Sequence, residues 1–315
     1  MKKKIFLILR IAVSLGIITL LFKFISYRRL LALYRDSEKS YIVLAFIIFT
    51  LVNVLGALRW RFILSSLGIN IDIKEAVYTY FSSLFFNIIF PSLLGGDVFR
   101  GLALGYRHQK TFKVLSSVVM DRFSGAFALG IVALFAYVFT ASRMKEFNII
   151  IAVGAFLVMN ILAVVIFFNK YSSRYINRFA KGHILKRRII HLYNELYFFR
   201  ENPKVFFISL IYSCAIQAAI CVTFFVLSKA FSLDIDIVYF FMLVPLVQFI
   251  SVLPVSIAGI GTREAAAVYL FPRIGIEKST ALSISFYFLF ITILVGLIGG
   301  FIYVVVYHRW LERNT

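Results

Sequence analysis

Pro91-Ser92-Leu93-Leu94-Gly95-Gly96-Asp97-Val98-Phe99-Arg100 and Pro254-Val255-Ser256-Ile257-Ala258-Gly259-Ile260-Gly261-Thr262-Arg263-Glu264 break two apolar runs in matching ways. Each begins with Pro, opens into glycines and carries Arg nine positions after the Pro. The runs before them, about 76–90 and 237–253, would each cover roughly 22–26 Å as helix at 1.5 Å per residue, against a hydrocarbon core of about 30 Å. Proline then removes a backbone donor and clashes with the preceding turn. Two Gly/Pro-interrupted apolar segments at corresponding places in two halves are the sequence signature of a transporter's binding site.

The surrounding chain supports a membrane setting. Of its 315 residues, 62% are hydrophobic and 17% aromatic, far from the balance of a soluble domain. Full spans are expected near 5–22, 41–58, 115–140, 147–168, 205–227 and 280–307. The start Met1-Lys2-Lys3-Lys4 looks like a signal n-region, but no small-residue cleavage site follows, so an uncleaved first helix is expected. The longest polar stretch, 169–204, is shorter than the roughly 50 residues of a small soluble domain. The whole of 1–315 therefore reads as one integral membrane domain. Half one is about 41–168, half two about 205–307, and 169–204 is the linker between them.

The formal net charge of +20 is concentrated in loops, which favours orientation by the positive-inside rule and attraction to anionic lipid over nucleic-acid binding. The linker holds Lys170, Arg174, Arg178, Lys181, Lys186, Arg187, Arg188, Arg200 and Lys204 against Glu195 and Glu201, and should be cytoplasmic. It can be so only if the two short runs are arms of re-entrant hairpins, about 76–113 and 237–272. The expected fold is an all-α polytopic membrane protein with six full transmembrane helices and two re-entrant hairpins, one from each side, in an inverted-repeat arrangement. Both termini would be cytoplasmic. The stretch 23–40 fits this topology least well: it would lie outside, yet it holds Lys23, Arg28, Arg29, Arg35 and Lys39. The apolar stripe Leu185, Ile189, Leu192, Leu196 and Phe199 predicts a helix, either on the cytoplasmic leaflet or packed as an ordinary linker helix.

Asp97, Arg100, Asp121, Arg122, Arg263 and Glu264 are charged residues at or beside membrane segments. Each would cost about 2.5–3.5 kcal/mol at a helix centre, so they must pair, line water or sit near an interface. Asp97 and Arg100 share a helix face. Asp121 and Arg122 are adjacent and point about 100° apart, as do Arg263 and Glu264, so each needs a partner from another segment. Asp97 with Arg122, and Asp121 with a hairpin arginine, are the expected pairs. Functionally, the six would line a polar cavity in which Arg100, Arg122 and Arg263 receive a phosphate. Asp97, Asp121 and Glu264 would hold those arginines or bind a cationic substituent. Pro91, Gly95, Gly96, Pro254, Gly259 and Gly261 would shape the hairpins, with the glycines letting backbone amides approach an anion. The bland alternative is that these charges only cap hairpin ends. Cys214 and Cys221 read as small apolar residues. The four histidines form no ligand set, and no P-loop or hydrolase triad is present, so no metal, no cofactor and no catalytic residue is expected.

The segment "FNIIFPSLLGGDVFRGLAL", the following "SSVVMDRFSGAFAL" and "VPLVQFISVLPVSIAGIGTREAAAVYLF" resemble the membrane domain of lysylphosphatidylglycerol synthases of the multiple-peptide-resistance-factor type. The resemblance runs from about residue 10 to 307. It implies a lipid-translocating fold with two re-entrant hairpins, also found as free-standing flippase-like proteins. It implies that Asp97 and Arg100 match the first hairpin's acid and arginine, Asp121-Arg122 an acid–Arg pair opening the next helix, and Arg263-Glu264 the second hairpin's pair. The chain departs from the pattern in three ways. No soluble aminoacyl-transfer domain is expected here, Asp97 stands where Glu is common, and Phe286-Tyr287-Phe288 lacks an arginine often seen there.

Two readings of function stand. One is a lipid flippase-like transporter of a bacterial inner membrane, moving an anionic or aminoacylated phospholipid or a polyprenyl-linked lipid. The other is a non-transporting subunit or scaffold for a lipid-modifying or cell-envelope glycosyltransferase. Expected partners are lipids with anionic head groups, with a second copy of the chain or a lipid-modifying enzyme as further candidates.

Overall fold

The computed structural model describes residues 19, 21, 27–90, 95–140, 154, 158, 195–252, 256 and 259–307. Nine α-helices carry the description: α1 (Tyr27–Asp36), α2 (Lys39–Ser66), α3 (Ile73–Ile89), α4 (Gly95–Arg107), α5 (Thr111–Thr140), α6 (Pro203–Lys229), α7 (Ile237–Val252), α8 (Thr262–Leu270) and α9 (Lys278–Ile302). A short 3-10 turn, Phe271–Ile274, follows α8, and a π-helical turn, Tyr303–Tyr307, continues α9. Four of these helical stretches are long and apolar enough to cross a membrane: Lys39–Ser66, Thr111–Phe139, Pro203–Lys229 and Lys278–Val306. They match the expected spans at 41–58, 115–140, 205–227 and 280–307, each with a longer reach. The expected spans at 5–22 and 147–168 fall almost wholly outside the described residues, as do Pro91, Pro254 and most of the linker. Residues 195–201 are helical.

Both interrupted segments are helical hairpins. In the first, α3 and α4 run antiparallel. Arg107, at the end of α4, pairs with Glu75, at the start of α3. At the other end, the Gly96 N–H donates to Asn87 Oδ1 at 2.8 Å. A Cβ on Gly96 would stand 1.9 Å from the Ser83 carbonyl oxygen, so only glycine lets these two arms close. In the second, Phe240 of α7 meets Phe271 after α8, with ring centroids 6.0 Å apart. Near its tip, a Cβ on Gly259 would lie 2.9 Å from the Ser251 carbonyl oxygen. Gly259 and Gly261 have φ of 76° and 91°, which other residues rarely adopt. Pro245 lies inside α7; membrane helices tolerate such a break where neighbours satisfy the freed carbonyl.

The helix that precedes each hairpin packs on its counterpart. α2 and α6 run antiparallel: Glu38 N–H donates to the Ala230 carbonyl at 2.9 Å at one end, and Phe62 meets Tyr212 towards the other. Hairpin one follows the C-terminal end of α2 and hairpin two that of α6, so the hairpins open from opposite ends of the bundle. The remaining contacts repeat in the same sense. α3 packs along α9, and α7 packs along α5. The α3–α9 contact uses small residues, since water-driven burial is weak between membrane helices: Gly296, Gly299 and Gly300 lie against Leu84, Ile88, Phe81 and Phe85. The main core gathers Phe224, Phe240, Phe271 and Phe288 from α6 to α9. Large apolar side chains such as Leu51, Phe135, Phe207, Ile211 and Phe301 face outward, as lipid contact requires.

The basic stretch at 23–40 contains α1. Just beyond it Ser37 Oγ and Tyr287 Oη share a hydrogen bond at 2.8 Å, and the Tyr34 ring of α1 stacks on Tyr287.

Candidate functional site

Hairpin one meets α2, α5 and α6 in a buried ionic cluster. Asp121 of α5 accepts from Arg59 Nε through Oδ1 and from Arg100 Nη2 through Oδ2, both at 2.7 Å. Asp97, in the first turn of α4, accepts from Arg122 Nε through Oδ2 at 2.7 Å, and its Oδ1 lies 3.1 Å from Arg100 Nη2. Arg59 Nη1 also donates to Ser213 Oγ of α6 at 2.7 Å. The pairs expected between segments, Asp97 with Arg122 and Asp121 with a hairpin arginine, are therefore present. Asp121 and Arg122 do point to different partners, and Asp97 and Arg100 do share a face.

Arg59 was not anticipated. It lies just beyond the expected span at 41–58. The helix instead continues to Ser66, and Arg59 is buried. Charge balance gave no signal for it, because Asp97, Arg100, Asp121 and Arg122 already balance without Arg59.

The second hairpin is arranged otherwise. Among the described residues Arg263 reaches no acid of another segment. Its Nε and Nη2 donate to Glu264 Oε1 at 3.1 and 3.0 Å, which corrects the expectation that these neighbours cannot meet. The reason is local. Glu264 sits in the first turn of α8 and bends back to accept the Gly261 N–H at 2.6 Å, which brings its other oxygen over Arg263. Ser285 Oγ of α9 donates to the same Oε1 at 3.1 Å.

The two hairpins are nonetheless in register. Arg100 reaches Asp121, ten residues beyond the start of α5 at Thr111, while Arg263 lies over the ring of Phe288, ten residues beyond the start of α9 at Lys278. Asp121 pairs with Arg59 across α5 and α2, and Phe288 packs on Phe224 across α9 and α6 at 4.5 Å between centroids. An ion pair in one half thus stands where an aromatic pair stands in the other.

The donor capacity of the cluster is one-sided. Both oxygens of Asp97, Asp121 and Glu264 are already engaged by this chain's own donors. Arg100 is different. Its guanidinium lies near the rings of Trp60 and Tyr80, 5.0 and 5.2 Å from their centroids, and its Nε and Nη1 are buried without a hydrogen-bond partner among the described residues. Three arginines face two aspartates, which leaves one positive charge in excess. Arg122 is the member that reaches the surface, with a side chain 49% exposed. Gly96 serves hairpin closure, and the space beside it is filled by the Ser83 carbonyl, not open to a ligand. The cavity between α1, α2 and α9 described below is not lined by these charges.

The model of the lysylphosphatidylglycerol synthase TM region matches residues 7–300. The chain belongs to this family. It is also similar to the UPF0104 membrane protein MJ1595 of Methanocaldococcus jannaschii, 23% identical over 324 residues that span 96% of this chain and 95% of that protein. No solved structure gives a significant match. Membership of the lysylphosphatidylglycerol synthase TM family places the chain among membrane proteins connected with lipid, which agrees with the four long apolar helices among the described residues.

Proposed function

We propose that this protein is a flippase-like lipid transporter of the cytoplasmic membrane, with a cargo whose head group carries a phosphate. The observation that carries the reading is Arg100: a buried guanidinium with two nitrogens unpartnered among the described residues, in a cluster with excess positive charge. Buried donors without partners are costly, and a phosphate oxygen would satisfy them with the forked geometry that guanidinium favours. Since every carboxylate of the cluster is committed to an arginine, the site suits an anion and not a cationic substituent. Arg122 is the first contact from the surface and Arg100 the inner one, while Asp97, Asp121 and Arg59 hold them in place. The acyl chains stay in lipid beside the exposed apolar faces.

The two hairpins opening from opposite ends support an inverted repeat with re-entrant hairpins, the architecture in which substrate sites lie at the repeat interface. Six full spans and cytoplasmic termini complete this reading, with the Ser66 end of α2 facing the cytoplasm, where Lys74, Arg107, Lys110 and Lys113 gather. No chemistry on the lipid is proposed, because the cluster offers no activated nucleophile or base.

The test is head-group translocation in proteoliposomes, followed by dithionite access to fluorescent phosphatidylglycerol, its aminoacyl form and a polyprenyl phosphate. Wild-type protein should move at least one of them, and Arg100→Gln and Arg122→Gln variants that remain monodisperse should not. Absence of transport with all three lipids would favour the subunit reading.

A further inference from the structure

α1, α2 and α9 enclose a cavity of about 420 Å³ lined by Leu30, Tyr34, Lys39, Ile42, Val43, Ser283, Phe286, Tyr287 and Phe290. Its walls are apolar and aromatic apart from Lys39, which is exposed at the rim, and Ser283, which is buried. We propose that this cavity holds the acyl chain of an anionic phospholipid from the surrounding leaflet, with its phosphate on Lys39, as a resident lipid distinct from any cargo.

Three observations select this occupant. First, the cavity opens sideways onto lipid-facing surface. Val43 and Phe290 of its lining are exposed, and the same faces continue through Ile47 and Leu51 on α2 and Leu297 on α9, all exposed. An acyl chain can enter from the bilayer without crossing water. Second, α1 is built as an interfacial helix. Leu30 packs towards Leu21, Leu282 and Phe286, while Arg28 and Arg35 lie exposed on its outer side. A basic amphipathic helix at the membrane surface attracts anionic head groups. Third, the ammonium at the rim is fixed in place with donor capacity to spare. Lys39 Nζ donates to the Tyr34 carbonyl and to Ser37 Oγ at 2.7 Å, and sits 4.4 Å from the Tyr34 ring centroid. That uses two of its three donors. Asp36 and Glu38 flank this turn, but neither lines the cavity.

This assignment also accounts for the basic stretch that fits the topology least well. Its charges are explained by lipid contact at the surface and not by cytoplasmic placement.

Delipidated protein in nanodiscs containing phosphatidylcholine and a tracer of either phosphatidylglycerol or phosphatidylcholine, each with a diazirine in the acyl chain, tests the idea. After photolysis, peptide mass spectrometry locates the labelled residues. The phosphatidylglycerol probe should label 42–43 and 283–290 about fivefold more than the phosphatidylcholine probe, since one basic residue near an anionic lipid is worth about 1 kcal/mol. Lys39→Gln should remove that excess and Lys39→Arg should keep it. A Val43→Trp variant, which obstructs the mouth, should reduce labelling by both probes at these peptides alone. Equal labelling by the two probes in wild-type protein, or an excess unchanged in Lys39→Gln, would overturn the proposal and mark the cavity as ordinary annular contact. No transport is read, so the result is independent of the flippase reading.

Discussion

Asp121 is the counter-ion of two buried arginines, so neutralising it leaves Arg59 and Arg100 facing each other. Breaking a buried pair by removing one partner costs about 3–5 kcal/mol. Asp121→Asn should therefore lower the thermal midpoint of the purified protein more than any other single change in the cluster. Arg122→Gln should cost about 0–1 kcal/mol, as expected for a pair with a half-exposed partner, because Asp97 keeps Arg100. Unfolding followed by size-exclusion chromatography in detergent would compare them; equal losses would contradict the assignment of Asp121 as the keystone. Arg59 belongs with Asp121, and a double-mutant cycle of Arg59→Gln with Asp121→Asn should be strongly non-additive.

The hairpins were legible because they break simple rules: apolar runs too short to span, each ended by Pro and Gly. Their internal pairing was only partly so. Asp97 with Arg122 followed from spacing, since adjacent residues on a helix cannot face each other. The same rule failed for Arg263 and Glu264, because the first turn of a helix has free N–H groups that draw a glutamate backwards. Arg59 was hidden because its partner comes 62 residues later and only the fold brings them together. The α3–α9 contact was equally invisible, though it can be tested directly. A Cβ at Gly299 would lie 2.0 Å from the Phe81 carbonyl oxygen, so Gly299→Ala should force the two helices apart and sharply reduce the folded yield. At Gly125 the nearest atom to an added Cβ is Arg59 Nη1 at 3.6 Å, ordinary contact, so Gly125→Ala should be tolerated. Yields of monodisperse protein would show the contrast, and a folded Gly299→Ala would argue against this packing.

Taken as a whole molecule, the antiparallel α2 and α6 put the bases of the two hairpins at opposite ends. Cysteines introduced at His108 and Asp234, in a background where Cys214 and Cys221 are replaced by Ala, should react with a membrane-impermeant thiol reagent from opposite faces of the membrane. Labelling of both from one face would exclude hairpins that enter from two sides. The cross-packing of the hairpins has a consequence for how the protein is made. The first arm of hairpin one, α3, rests on α9, the last long helix among the described residues. Roughly 190 residues separate the end of α3 from the start of α9, which at ribosomal speeds is a wait of about 10–40 s. During that time a short arm must stay in the membrane without its seat, in contact with lipid or held by the insertion machinery. The glycine face of α9 that seats α3 is made only after the charged residues of hairpin one and α5.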